Sequence, residues 1–214
     1  MYLGLLRRSS AEPYTTDLSA RRWAELLDLD DPSRLGARRV TDAMARLREM
    51  KLIEVETNRG EASVITLLRE DGSGLPYAPP SGPRVKREDW YLQIPDRLWR
   101  GYIQSMSAPA LAMLLILLAE PESTTRGAWW SVTNFPAWYG ISPSMRAKGT
   151  TELIDLRLLR VTKQKLDTPR GANADERDRV RNLYQLIGRA NPSPNPKTPA
   201  PASRKRLRAI RNTP

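Results

Sequence analysis

One hydrophobic pattern occurs twice in the chain, at a gap-free spacing of 106 residues: Leu47 falls on Leu153, Met50 on Leu156, Leu52 on Leu158, Ile53 on Leu159 and Val55 on Val161. In each copy, apolar residues at helical spacing give way within a few positions to a short alternating run. A chain that repeats this transition builds two small units, each with a helix running directly into a strand, rather than one large core. The length agrees, since 214 residues suit two compact domains and exceed what one small helical module needs. One position departs from the repeat: Val40 falls on Arg146, where the pattern asks for an apolar residue.

In the first copy, Ser19 is placed to cap a helix through about Leu27, with Trp23, Leu26 and Leu27 on one side. An acidic turn over 28–32 follows, and Ser33 is a second cap. The next helix extends to about Met50, with Val40, Met44 and Leu47 as its buried stripe. Residues 52–57 alternate like a half-buried strand, 58–61 form a polar turn, and 62–68 complete a hairpin. In the second copy, 108–120 is a strongly apolar helix, 129–133 a short strand, and 134–140 a short helix ended by glycine. A turn at 141–143 leads into a helix over 144–158, and strands over 159–166 and 179–187 close a larger hairpin around a long charged connection, 167–178.

Helix, turn, helix, hairpin is the layout of a winged helix–turn–helix. The expected fold class is therefore mainly α with small β-hairpin wings (α+β), as two such domains in tandem. Gly, Pro and Ser concentrate in 71–83 (DGSGLPYAPPSGP), and Pro alternates with small polar residues over 191–203. The boundaries that follow are a first domain over 1–74, a linker over 75–89, a second domain over 90–190, and a disordered basic tail over 191–214.

Charge is unevenly spread. The net formal charge is +11, made of −1 over residues 1–74, +6 over 75–190 and +6 over 191–214. An excess of this size is the electrostatic footprint of a nucleic-acid binder, and solvated basic surface is the plain alternative. Cysteine and histidine are both absent. That leaves no His-based acid–base pair, no thiolate nucleophile and no ordinary zinc site, and no G-x-x-x-x-G-K-S/T phosphate loop occurs. The chain is expected to have no catalytic residues, no metal and no small-molecule cofactor. The longest apolar run, 110–119, has ten residues against the roughly 20 that span a bilayer, so a cytoplasmic protein without membrane partners is expected. That run is either core or a dimer face, and a homodimer stays open on the sequence alone. Trp129, Trp130, Trp138 and Tyr139 suit core packing beside this helix better than base stacking.

The stretch ARRVTDAMARLREMKLIEV resembles the recognition helix and first wing strand of bacterial winged-helix regulators. The tandem arrangement resembles the two-domain replication initiators of plasmids. FPAWYGISPSMRAKGTTELIDLRLL resembles the second domain of actinobacterial proteins carried on mobile elements. Together these likenesses cover most of residues 15–190. They imply a sequence-specific protein of double-stranded DNA, either a plasmid or mobile-element replication initiator or a transcriptional regulator, found with the nucleoid or plasmid. The rival reading is a winged-helix module that binds protein within a chromosome or plasmid maintenance complex.

A recognition helix lays its exposed face in the major groove, where arginine reads guanine and an acid accepts from cytosine. With Val40 buried and 100° per residue, Arg34, Arg38, Asp42 and Arg46 fall outward, flanked by Arg39 and Thr41, with Ser33 at the start. Six basic residues stand between 33 and 51 against two acids, although a solvated helix of Arg–Glu pairs has a similar composition. In the second copy Ser144, Lys148 and Thr151 face outward, and Arg146 belongs to the same helix. The wings add Arg59 in the first unit and Lys163, Lys165, Arg170, Arg177, Arg179 and Arg181 in the second, suited to phosphates, with a plain solvated surface as the equal alternative for the second wing. Arg204, Lys205, Arg206 and Arg208 in the tail suit non-specific attraction to the duplex.

Overall fold

A computed structural model of the chain describes residues 1–57, 62–79, 92–166 and 180–191. It is an α+β structure with seven α-helices and two small antiparallel sheets among the described residues. The chain divides into two compact units, Met1–Tyr91 and Leu92–Pro214. Among the described residues no helix is long and apolar enough to cross a membrane. The turn at 58–61, the connection at 167–178 and the tail beyond residue 191 lie outside the described residues, with Arg59, Arg170, Arg177, Arg179, Arg204, Lys205, Arg206 and Arg208.

The first unit runs α1 (Tyr2–Arg8), β1 (Thr15–Thr16), α2 (Ala20–Leu26), α3 (Leu35–Glu49), β2 (Ile53–Glu56) and β3 (Val64–Leu67). Its sheet has the order β1-β3-β2, with Ile53 opposite Leu67 and Thr16 opposite Ile65. Leu5, Trp23, Val40, Ile53, Ile65 and Leu67 form the core, with Met44 and Leu47 packed against it, so the expected stripe on α3 faces inward. The Ser19 hydroxyl accepts the Arg22 N–H at 3.4 Å, as a cap should. Gly36 is the close-approach point of α2 and α3, because a Cβ there would stand 3.0 Å from the Ala24 Cβ.

Several expectations need correction. Ser33 does not cap α3: its hydroxyl turns back to Asp31 Oδ1 at 3.1 Å, and the helix starts after Arg34. The left-handed backbone of Asp28 and Asp31 (φ 52° and 44°) tightens the acidic turn and sets that later start. Leu26 is half exposed rather than beside Trp23 in the core. Helix α1 and strand β1 were not expected, although Tyr2, Leu5 and Leu6 already have helical spacing, and Leu5 is fully buried. The start of the Gly/Pro-rich break is folded onto the first unit: Arg69 N–H reaches the Leu75 carbonyl at 2.9 Å, and the Tyr77 ring meets Tyr14 edge-on at 5.1 Å.

The second unit runs α4 (Asp96–Trp99), α5 (Ala108–Ala119), α6 (Asn134–Tyr139), α7 (Pro143–Asp155), β4 (Leu159–Lys165) and β5 (Val180–Leu186). A single antiparallel bridge, Ala128 to Tyr184, stands where β1 stands in the first unit, and both add to the last strand of their hairpin. The expected strand over 129–133 does not form: the bridge falls at Ala128, and 129–133 runs as irregular chain and turn into α6. Helix α5 fills the core with Ala110, Met113, Leu114 and Leu117, all fully buried. Trp130, Phe135, Tyr139 and Tyr184 pack as an aromatic cluster with centroids 5.0–6.0 Å apart. Trp129 departs from the expected core packing, at 36% exposure.

Both hairpins are entered through the same turn. Lys51 and Arg157 adopt left-handed backbone (φ 54° and 57°), and the next amides, Leu52 and Leu158, reach back to the Leu47 and Leu153 carbonyls at 3.0 and 2.9 Å. The pairs Ile53–Leu67 and Leu159–Leu186 then open the two hairpins. The spacing is 106 on the first strand and 119 on the second, so the second hairpin is longer by the difference.

Candidate nucleic-acid interface

Helix α3 presents a row of cations to solvent. Arg34 precedes its first turn, and Arg38, Arg39, Arg46 and Arg48 follow along it, every one exposed. Thr41 and Asp42 are exposed on the same helix, and the Thr41 hydroxyl donates to the Ala37 carbonyl at 3.1 Å. Among the described residues none of these five arginines stands in an ion pair. Helix α2 is the contrast. There Arg21 Nε and Arg22 Nη1 lie 3.1 and 2.9 Å from the two oxygens of Glu25. These hydrogen bonds, Arg22 first, hold the Glu25 carboxyl below the usual carboxylate range. Both arginines of α2 are thus engaged by one carboxylate, whereas α3 carries bare guanidinium forks. Each fork has a planar set of donors that suits the acceptors of a guanine edge or a phosphate.

On α7, Ser144, Lys148 and Thr151 are exposed, as are Ala147 and Asp155. Ser142 caps the helix by accepting the Met145 N–H at 3.3 Å, and its hydroxyl lies 3.1 Å from that of Ser144. Glu152 is committed inward, accepting the Ser107 amide at 2.8 Å and the Ser107 hydroxyl, so α7 is tied to the cap of α5. Arg146, the other candidate on this helix, turns inward. Its guanidinium carbon sits 4.3 Å from the Phe135 ring centre and 5.0 Å from that of Tyr184, and Nη2 donates to the Tyr184 hydroxyl at 2.9 Å. The repeat explains this placement: Arg146 occupies the position of buried Val40, so its stem points to the core.

The hairpin of the second unit divides its charges between two faces. Successive strand residues alternate, and directly opposed residues share a face. Lys163 opposes Asn182 and Lys165 opposes Val180, on the face of Leu159, Val161 and Tyr184 that packs toward α7. Both lysines are exposed beyond the end of the core. Gln164 and Arg181 share the opposite face, where Arg181 Nε donates to Gln164 Oε1 at 2.8 Å and the guanidinium covers the Trp129 ring at 4.8 Å. The basic run of the wing did not reveal this division, because the register depends on where a long turn ends. Comparison of the chain with family models, with curated proteins and with solved structures finds no match.

Proposed function

We propose that this chain is a sequence-specific protein of double-stranded DNA, made of two winged helix–turn–helix units, with α3 the reading helix of the first and α7 that of the second. The observation that carries the reading is the row Arg34, Arg38, Arg39, Arg46 and Arg48, exposed and free of ion pairs among the described residues, beside an α2 whose two arginines share the Glu25 carboxylate. The element order of each unit supports it, with a helix pair leading into a hairpin and one added strand or bridge on the last strand. Lys163 and Lys165, on the sheet face that packs toward α7, suit phosphate contacts that position the second unit. Such a protein serves either as the replication initiator of a plasmid or mobile element or as a transcriptional regulator, since both use the same device.

The test is binding of the full chain to a labelled random-sequence duplex by fluorescence anisotropy between about 50 and 200 mM salt. Affinity is expected to fall steeply and log-linearly with salt, and replacing Arg38 and Arg46 together by Ala is expected to flatten the line. Salt-independent association, or none, overturns the reading. For the second unit a protein-binding role has its own support: α7 exposes Met145 and Ile154 (38% and 43%) beside a single outward lysine. Footprinting of Lys148→Ala separates the two roles, because lost protection at one half of the site marks α7 as a DNA reader and an unchanged footprint marks it as an assembly face.

A further inference from the structure

The inward stripe of α3 is Val40, Met44 and Leu47, and at the 106-residue spacing these become Arg146, Thr150 and Leu153 on α7. The fold accepts apolar side chains at the first two positions, yet the second unit carries a cation and a hydroxyl there. Drawing a guanidinium out of water is unfavourable in a way that a valine is not. The aromatic rings of Phe135 and Tyr184 and one hydrogen bond to Tyr184 offset part of this. No carboxylate pairs with Arg146 among the described residues. One hydrogen bond, to Tyr184, uses one of the five guanidinium N–H donors. One turn along, the Thr150 hydroxyl is out of solvent and hydrogen-bonded to nothing among the described residues.

Both side chains line one cavity, open to solvent, of about 350 Å³, whose other walls include the exposed Val132, Pro136 and the exposed Pro143. That volume falls within the range of about 300–1,000 Å³ usual for small-molecule sites, which combine apolar walls with a few fixed polar groups. We propose that this cavity binds a small organic carboxylate with an apolar body. The carboxylate lies on the Arg146 fork, a rotation about the Thr150 Cα–Cβ bond brings the hydroxyl, otherwise out of solvent, to it, and the apolar part lies against Val132, Pro136 and Pro143. A planar fork matches a carboxylate by two parallel hydrogen bonds, and the rings packed on Arg146 hold that plane before anything binds. Ala147 and Thr151 line the same cavity and belong to the exposed face of α7, so an occupant competes there with a duplex. That consequence rests on the DNA reading above, while the site itself does not.

The test titrates the DNA-free full chain with benzoate and phenylacetate, following tryptophan fluorescence and thermal unfolding. Trp130 reports directly, its ring being 5.8 Å from the Arg146 guanidinium carbon. Saturable binding with a raised melting temperature is expected, and benzamide and inorganic phosphate are expected to bind at least about tenfold more weakly, one lacking the charge and the other the apolar body. Arg146→Met, which restores the apolar character of the Val40 position, is expected to fold and to lose the response. Thr150→Val is expected to weaken binding severalfold with Arg146 in place. The proposal is overturned if neither carboxylate binds saturably, if benzamide binds equally well, or if Arg146→Met keeps the response. Should Arg146→Met not fold, unweakened binding in Thr150→Val overturns it instead.

Discussion

The carbonyl oxygen of Pro109 lies 2.3 Å from where a Cβ on Gly149 would stand, so α7 crosses the start of α5 at a point where only glycine fits. The clash would be with backbone, which cannot swing aside as a side chain would. Gly149→Ala is expected to destabilise the second unit by about 1–3 kcal/mol, the range of an overpacked core. Gly36→Ala in the first unit, 3.0 Å from the Ala24 Cβ, is expected to be milder. Urea unfolding followed by near-UV circular dichroism checks both, and an unchanged midpoint for Gly149→Ala contradicts the crossing.

Lys51 and Arg157 hold a left-handed conformation that a side chain disfavours by about 1–2 kcal/mol, and glycine adopts it freely. Lys51→Gly and Arg157→Gly are each expected to raise stability by roughly 0.5–1 kcal/mol, since the greater freedom of glycine in the unfolded chain offsets part of the gain. The urea midpoint should rise with an unchanged slope. A lowered midpoint for both would mean that these side chains make contacts outweighing the backbone strain.

Burial, then the charge of Glu70 and the neighbouring Tyr77, pushes the Tyr2 phenol far above its ordinary value, and burial, Glu70 and Tyr14 raise that of Tyr77. The folded unit thus holds these protons more tightly than the unfolded chain. The stability is fully present below about pH 10, the unfolded value, and drains away as pH rises through and beyond it. Melting of the first unit should fall as pH rises above about 10. In a Tyr2→Phe, Tyr77→Phe double variant the fall should be shallower, and an identical fall would remove this cluster from the explanation.

Positioning and attraction separate from reading. Lys163→Ala and Lys165→Ala should weaken binding to all duplexes alike, each reducing the slope of log K against log salt by about 0.9. Removing residues 191–214, with six Lys/Arg and no acids, should flatten that slope further while site preference survives. Anisotropy on random and selected duplexes checks this, and an unchanged slope in the truncated chain contradicts the tail's part in binding.

Much of the fold was legible because it rests on periodicity. The stripe Val40, Met44, Leu47 and the alternation from Leu52 set α3 and β2 to within two residues. What escaped depends on contacts distant in sequence. Strand β1 is two residues long and exists only because Thr15 and Thr16 find Thr66 and Ile65. Tyr77 joins the first unit through Tyr14, despite the Gly/Pro-rich composition around it. For the site, the outward face of α3 follows from helix geometry alone. Arg146 does not, because a long basic side chain at a core position can leave for solvent or fold over aromatic rings, and sequence spacing is the same in both cases.

The most direct measurement takes a duplex selected from a random pool by the full chain and compares the loss in affinity of Arg38→Ala on it and on random DNA at one salt concentration. If α3 reads base edges, the loss on the selected duplex should be about 1–3 kcal/mol, with a much smaller loss on random DNA and relaxed preference at one or two base pairs. Equal losses on the two duplexes would show that α3 does not read sequence, and a wild-type chain that selects no duplex at all would contradict the DNA reading itself.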